Sequence, residues 1–439
     1  MTDPKVAVAK VAVAKVGVVG LGKVGLPLAA CYATAGLDVT GCDVSEARVA
    51  DVNAGRNPIA GEEGLDDAIA AAVAGGLLRA TTETTSASRG ADVVVVIVPL
   101  FAMEGGKLDF SALDAATDAV ADGGHPGLTV VYETTLPVGT TRRFAERLAD
   151  RSGLPIGEEL FVAFSPERVY SGRILRDLQA YPKIVGGVDA SSGERAAAFY
   201  RRVLPGVDVV EVANAETAEL VKLAETTYRD INIAFANELA RYATGRDVDV
   251  DEAIRLANTQ PFSHIHSPGA GVGGHCIPHY PHFLLADGAD APLVRLAREI
   301  NDQQPGWVID RLDDALGGLA GRSVLVLGVS YRENVKELTS SPGVDMIRLL
   351  DERRATVFAN DPYFSAEEIR RLGAEPANIE DLGRFDAVVL QAVHDEYAAI
   401  PWERVLRSGQ VVFDGRNRLD PARIAGTGAS YLGVGRRAR

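Results

Sequence analysis

The sequence predicts an α/β protein in which two doubly wound domains are joined by a long central helix. Three observations carry that expectation. Short β-rich apolar runs alternate with Ala-rich helical stretches from Lys15 to about residue 205, and the alternation returns from about 318 to 439. Between these blocks, residues 207–244 hold neither Gly nor Pro. The first apolar run leads directly into Gly20-Leu-Gly22-Lys-Val-Gly25, a glycine turn opening a helix. Such alternation implies parallel strands, because each parallel neighbour needs a helical crossover that covers a face of the sheet.

The elements follow in order. The repeat Val6-Ala-Val-Ala-Lys10, Val11-Ala-Val-Ala-Lys15 reads as an extension of which one copy is dispensable. The strands of the first block are Val16–Gly20, Leu37–Asp43, Ala91–Pro99, Leu128–Glu133 and Leu160–Ser165. In the Gly- and Pro-free stretch, Ala218, Val221, Leu223, Ala224, Tyr228, Ile231, Phe235 and Leu239 recur at helical spacing. A helix of about 30 residues spans about 45 Å, enough to join two domains or form an oligomer seam. Helical pattern continues through Val250–Ala257 and Pro292–Asn301. The last block offers strands at Ser323–Gly328, Thr356–Asn360, Ala387–Gln391 and Gln410–Asp414, before a basic tail at Gly435–Arg439. The expected domains are 1–205, 206–317 and 318–439, the outer two Rossmann-like.

Bulk composition narrows the function classes. A chain of 439 residues exceeds one hydrophobic core. The net charge of −15 argues against nucleic acid and anionic membranes as partners. Three cysteines, Cys31, Cys42 and Cys276, are no disulfide framework, and Cys31 and Cys42 lie in apolar segments that read as core. No apolar stretch approaches a membrane span and the start is unlike a signal peptide, so a cytoplasmic location is expected. Only eight of the 45 basic residues are Lys, which makes Lys222 stand out.

Two loops carry chemistry. In the glycine turn, Gly20 makes the bend, Gly22 admits a pyrophosphate and Gly25 lets helix pack on strand. The pyrophosphate would then face free N–H groups at the helix N-terminus. Asp43 ends the second strand 18 residues past Gly25, where a carboxylate accepts ribose hydroxyls and repels a 2′-phosphate, favouring NAD over NADP. The second loop is Gly271-Val-Gly273-Gly274-His275-Cys276-Ile-Pro278. A thiol framed by Gly, His and Pro, outside any apolar run, reads as a nucleophile rather than as core. His275, His279 and His282 lie in a Pro-broken loop rather than on a helix, and no metal is expected there.

Further segments complete the set: Glu133-Thr-Thr135-Leu-Pro137-Val-Gly139-Thr140-Thr141, Ser165-Pro-Glu167-Arg168, Lys222-Leu-Ala-Glu-Thr226, Asn232-Ile-Ala-Phe-Ala-Asn237-Glu238 and Asp414-Gly-Arg416-Asn417. With the two loops, these segments resemble the UDP-glucose/GDP-mannose dehydrogenase family of nucleotide-sugar 6-dehydrogenases, over about residues 15 to 420. The form of the Cys loop, with His275, is most similar to the branch that oxidises UDP-N-acetylhexosamines. The resemblance implies two successive oxidations of a sugar primary alcohol to the uronate, with NAD, through a Cys276 thiohemiacetal and thioester. It implies that Lys222 stabilises oxyanions, Glu167 is the acid/base carboxylate and Thr135 positions water. For the cofactor it implies Gly20, Gly22, Lys23, Val24, Gly25, Asp43, Arg48, Val98, Pro99, Glu133 and Thr135. For the substrate it implies Glu167, Arg168, Lys222, Gly273, Arg332 and Arg416. It also implies a UDP-sugar (or a dTDP-sugar) as ligand and a homodimer through the long helix.

Some family positions differ. Thr226 stands for an Asn, Tyr280 for an Asp and Thr339 for an Arg. An Arg usual near Phe262 is missing, and Val98-Pro99-Leu100-Phe101 replaces Val-Pro-Thr-Pro. These changes leave two further readings open: a member whose thioester step is impaired, and a non-catalytic binder of NAD and nucleotide sugar. Retention of Cys276, Lys222 and Glu167 together speaks against the last.

Overall fold

A computed structural model describes residues 15–59, 61–100, 102–103, 106–170, 172–286 and 288–436. The N-terminal repeat up to residue 14, Phe101 and the last three residues of the basic tail lie outside these. The first sheet holds β1 (Lys15–Val19), β2 (Asp38–Cys42), β3 (Leu78–Thr81), β4 (Val93–Val96), β5 (Leu128–Tyr132), β6 (Leu160–Phe164), β7 (Lys183–Gly187) and β8 (Val209–Glu211). Their spatial order is β3-β2-β1-β4-β5-β6-β7-β8. The second sheet holds β9 (Ser323–Leu327), β10 (Thr356–Asn360), β11 (Glu375–Pro376), β12 (Ala387–Leu390), β13 (Val411–Asp414) and β14 (Ser430–Gly433), ordered β11-β10-β9-β12-β13-β14. In both sheets the winding reverses beside the first strand, so both are doubly wound α/β sheets.

The central strands are legible because both faces are covered. Val93–Val96 and Leu128–Tyr132 are buried at every position, giving unbroken apolar runs. Among the named strands of the described residues the pairings are parallel except that β6 and β7 run antiparallel, with Ala163 opposite Gly187 and Phe164 opposite Gly186. The wholly parallel first sheet expected from sequence is corrected at this strand. The long helix runs Ala215–Ala243, 29 residues inside the Gly- and Pro-free stretch. The Asn214 side chain accepts the Thr217 N–H at 2.8 Å and starts it there, while Val209–Glu211 before it pairs with β7.

The chain divides into two compact units, Met1–Ala224 with His282–Asp287 and Glu225–Pro281 with Gly288–Arg439. The dividing line falls inside the long helix, so the block 206–317 is shared between the units. The first unit has its core around Val18, Leu28, Tyr32, Val95 and Phe199; the second has one around Val308, Val326, Ile347 and Phe413. Among the described residues no helix is long and apolar enough to cross a membrane.

Within the first unit, buried Glu219 of the long helix closes the N-terminus of the helix Thr140–Ser152. Its carboxylate accepts the Gly139 N–H at 2.6 Å, the Thr141 N–H at 2.7 Å and the Thr141 hydroxyl at 2.6 Å. It thereby fixes the turn that follows Thr135. Burial pushes the Glu219 carboxyl up to about 7, against the pull of those donors. A carboxyl raised on folding stabilises the fold while protonated, and that contribution disappears as pH climbs through the folded value. Urea unfolding at a series of pH values from about 4.5 to about 8 should show a stability component that fades toward neutrality. Glu219→Gln should lack that component; a Gln variant with the same pH slope would contradict the assignment.

Candidate active site

The glycine turn is built as the spacing demands. Gly20 has φ +99°, and a Cβ there would lie 2.8 Å from the Ile97 carbonyl oxygen. A Cβ on Gly25 would lie 1.8 Å from the Gly20 carbonyl oxygen, so helix and strand touch only because it is absent. A Cβ on Gly22 would meet nothing within 4 Å, leaving open space ahead of the helix Gly25–Thr34. Asp43 accepts the Leu21 N–H at 3.0 Å and the Ser45 N–H at 2.9 Å, and pairs with Arg48 at 2.9 Å. An open middle glycine, a helix N-terminus and a carboxylate at the end of β2 fit a dinucleotide with a free ribose hydroxyl. The turn carrying Lys23 and Val24 lies in the same place, and the Thr134 hydroxyl donates to the Val98 carbonyl at 2.7 Å, tying the Glu133–Thr135 segment to the Val98-Pro99 strand end.

The second sheet repeats the device and closes it. Asp361, at the end of β10, accepts the Val329 and Ser330 N–H groups at 2.9 and 3.0 Å, as Asp43 does for Leu21. Gly328 and Gly343 stand where Gly20 and Gly25 stand, with a Gly343 Cβ 2.9 Å from the Gly328 oxygen. Here, however, buried His394 donates through Nε2 to Asp361 at 3.0 Å while its Nδ1 accepts the Asn334 N–H at 2.9 Å. The carboxylate that could read a ribose is covered, and the turn is lengthened into the loop that carries Tyr331, Arg332 and Thr339.

In the first unit Glu133 and Glu167 come together around a lysine that the sequence reading passed over. Lys183 Nζ lies 2.9 Å from Glu167 Oε2 and 3.2 Å from Glu133 Oε2. Tyr32 and Tyr200 both donate to Glu133 Oε1, and the Arg168 N–H donates to Glu167 Oε1 at 2.7 Å. Desolvation pushes the Glu133 carboxyl up while Lys183 opposes it, and the two carboxylates raise Lys183 against its own desolvation. Thr135 and Lys222 are buried. The one signal for Lys183 was the scarcity of lysine; nothing in the spacing singled out Glu219, Asp361 or His394.

In the second unit the Cys loop rests on the Tyr331–Pro342 segment. A Cβ on Gly273 would lie 2.6 Å from both the Ser340 oxygen and the Tyr331 Cβ. Gly274, at φ +97°, would press on the Tyr331 ring at 2.9 Å. The glycines are there for close approach, and the Cys276 side chain beyond them is exposed. His275 pairs with Glu337 and lies 3.3 Å from the Thr339 hydroxyl. Arg416 donates to the Gln391 carbonyl at 2.7 Å and reaches the Tyr331 carbonyl at 3.4 Å, next to a cavity of about 800 Å³ lined by Ile265, Ser267, Glu333, Asp395 and Arg418. Arg332 donates to the Tyr331 hydroxyl at 3.1 Å. Gly273, Arg332 and Arg416 thus converge on Tyr331. Of the other two thiols, Cys42 is buried; burial pushes half-buried Cys31 up to about 11. Tyr280 follows the Cys turn, its N–H on the Cys276 carbonyl at 2.9 Å, and Phe262 is 89% exposed.

Comparison with known proteins bears on the whole chain. Residues 14–204, 216–303 and 325–421 match the family models for the NAD-binding, central and UDP-binding domains of the UDP-glucose/GDP-mannose dehydrogenase family. The chain is 34% identical over 362 residues to a UDP-N-acetyl-D-mannosamine dehydrogenase of Pyrococcus horikoshii, covering 81% of this chain and 84% of that one. It is 36% identical over 396 residues to an NDP-N-acetyl-D-galactosaminuronic acid dehydrogenase of Ralstonia solanacearum, covering 87% and 90%. Among solved structures, the UDP-D-ManNAc dehydrogenase of P. horikoshii superposes with a TM-score of 0.86 at 34% identity, over 96% of this chain and 99% of that one. A UDP-glucose dehydrogenase of Pyrobaculum islandicum gives 0.84 at 29%, over 97% and 98%.

The Asp43–Arg48 pair sets a test of cofactor choice. Asp43 pairs with Arg48 at 2.9 Å, and a carboxylate at the end of this strand would offer an NAD ribose an acceptor. Asp43→Ala should free the guanidinium and lower the NAD-over-NADP ratio of kcat/KM by about tenfold or more, since a hydrogen bond to a charged group contributes about 1.5–3 kcal/mol. An unchanged ratio in the variant would contradict this.

Proposed function

The chain belongs to the UDP-glucose/GDP-mannose dehydrogenase family and is an NAD-dependent nucleotide-sugar dehydrogenase, and from that premise we propose that it oxidises the C6 primary alcohol of a UDP-N-acetylhexosamine to the carboxylate in two steps. UDP-N-acetyl-D-mannosamine is the first candidate, because relatives over most of the chain carry that name. UDP-glucose is the second. The observation that carries the two-step reading is Cys276: exposed, held in a glycine-framed loop and seated on the segment that bears Tyr331 and Arg332.

The residues divide the work by chemical type. NAD, when bound at Gly20–Gly25 and Asp43, accepts the hydride of each oxidation. Glu167 takes the hydroxyl proton in the first. The Cys276 sulfur then bonds to the aldehyde carbon, giving a thiohemiacetal whose oxygen Lys222 stabilises by charge. The second oxidation leaves a thioester at Cys276. Water positioned by Thr135 attacks its carbonyl carbon; the C–S bond breaks, thiolate leaves and the uronate forms. Arg332 and Arg416 supply positive charge for the UDP diphosphate. Thr226 and Tyr280, in place of an amide and a carboxylate, remove two groups from the hydrolytic step, so that step falls to Glu167 and Thr135.

A homodimer fits the surface of the second unit. Tyr228, Phe235 and Tyr242 recur every seven residues on the long helix and are 53%, 47% and 64% exposed. Leu293 and Leu296 are exposed on the helix Pro292–Asp302. A stripe of large apolar side chains at this period marks a helix-packing face. Light scattering at micromolar concentration should give twice the chain mass; a single-chain mass would overturn the dimer.

The function itself is tested by screening UDP-N-acetylmannosamine, UDP-N-acetylglucosamine, UDP-glucose and dTDP-glucose for NAD reduction. The reading expects two NADH per sugar with a UDP-N-acetylhexosamine, and Cys276→Ser should stop after the first oxidation. One NADH per sugar in the wild type would indicate release of the aldehyde. None with any nucleotide sugar would leave a binder.

A further inference from the structure

The reversed strand β7 brings a lysine to an edge where it would otherwise be absent. In a parallel sheet the ligand edge is formed by the C-terminal ends of the strands. Glu133 follows β5 and Glu167 follows β6, so both stand at that edge. β7 runs the other way, so its first residue, Lys183, stands there too. The observed register pairs Phe164 with Gly186; continued outward it sets Glu167 opposite Lys183. The Ser165 hydroxyl donates to the Ile184 carbonyl at 2.7 Å and holds that register beyond the ladder.

The Lys183 side chain is 5% exposed, those of Glu133 and Glu167 0% and 11%. Its ammonium also lies 4.7 Å from the centre of the Tyr200 ring. Taking three charges out of water is costly, and a buried charged cluster as a whole is weak evidence for stability. With Glu133 and Glu167 buried beside it, Lys183 is needed to pair them. Its contacts also fix geometry. Glu167 is held at both oxygens, by Lys183 on Oε2 and by the Arg168 N–H on Oε1, and Lys183 is anchored in turn through Glu133 to Tyr32 and Tyr200.

We propose that Lys183 is a positioning residue for Glu167: through the clamp from Glu133 it fixes the orientation of the carboxylate that moves the proton of the sugar alcohol. The proposal rests on the role given to Glu167 above. It assigns Lys183 no contact with sugar or NAD.

A double-mutant cycle tests it. Removing Lys183 alone would leave two buried carboxylates together and could unfold the first unit, so the cycle is built on Glu133→Gln. In that background, Lys183→Met should lower kcat at least tenfold while the KM for the sugar stays within threefold. Adding Lys183→Met to Glu167→Gln should cost nothing further, because residues that act through one another do not add. A kcat within threefold after Lys183→Met, or additive losses, would overturn the proposal while leaving the role of Glu167 standing. A Glu167→Gln enzyme as fast as its parent would instead overturn that role and the proposal with it. Crystal structures of the Glu133→Gln and Glu133→Gln/Lys183→Met proteins give a readout free of activity. The Glu167 carboxylate should leave its place in the second, and an unmoved carboxylate would overturn the clamp. If no nucleotide sugar is oxidised, the function reading fails and these structures alone decide the clamp.

Discussion

A carboxylate clamped across the first turn organises the ligand edge of each sheet. Asp43 and Asp361 end equivalent strands, and each accepts backbone N–H groups from the turn after the first strand of its sheet. That bond fixes where the turn stops and the next helix begins, and the glycine contacts at Gly20–Gly25 and Gly328–Gly343 follow from it. What differs is the cover. Beyond its backbone donors, Asp43 pairs with Arg48, part of which is in water, whereas Asp361 is sealed by His394. One device thus yields an edge open to a ribose, and another whose turn is spent on a long loop carrying Tyr331, Arg332 and Thr339.

The polar groups at these edges serve geometry more than stability. Glu219 spans from the long helix to the turn after Thr135, and the Lys183 cluster spans three strands of the first sheet. Buried charges add little to the net free energy of folding, but each is costly to leave unpaired, so once present they fix their neighbours tightly. In the second unit close approach does much of the fixing: Gly273 and Gly274 admit the Tyr331 side chain under the Cys276 loop, and His275 pairs with Glu337 beside it.

Much of this was legible in the sequence, for physical reasons. Strands covered on both faces read as unbroken runs such as Val93–Val96. The roles of Gly20 and Gly25 are backbone requirements that a Cβ would break. Segments with mixed reasons for their composition were missed. Lys183-Ile-Val-Gly-Gly187 opens on a charge and closes on two glycines, so nothing marked it as a strand, and its reversal cannot be read from composition. Val209–Glu211 is a strand of three residues ahead of the helix that Asn214 caps, too short for an alternating pattern to show. The pairings of Glu219 with Gly139 and of Asp361 with His394 join residues 80 and 33 apart, a distance that local pattern does not report.

The covalent step is where the account is most exposed. Acid quenching during turnover with NAD and UDP-N-acetylmannosamine, followed by intact-protein and peptide mass spectrometry, reads it directly. The account predicts a fraction of the protein heavier by one UDP-sugar acyl group, with the adduct on the peptide containing Cys276 and lost on treatment with hydroxylamine. Steady formation of two NADH per sugar with Cys276 unmodified at every quench time, and still open to alkylation at the rate of the resting enzyme, would contradict it.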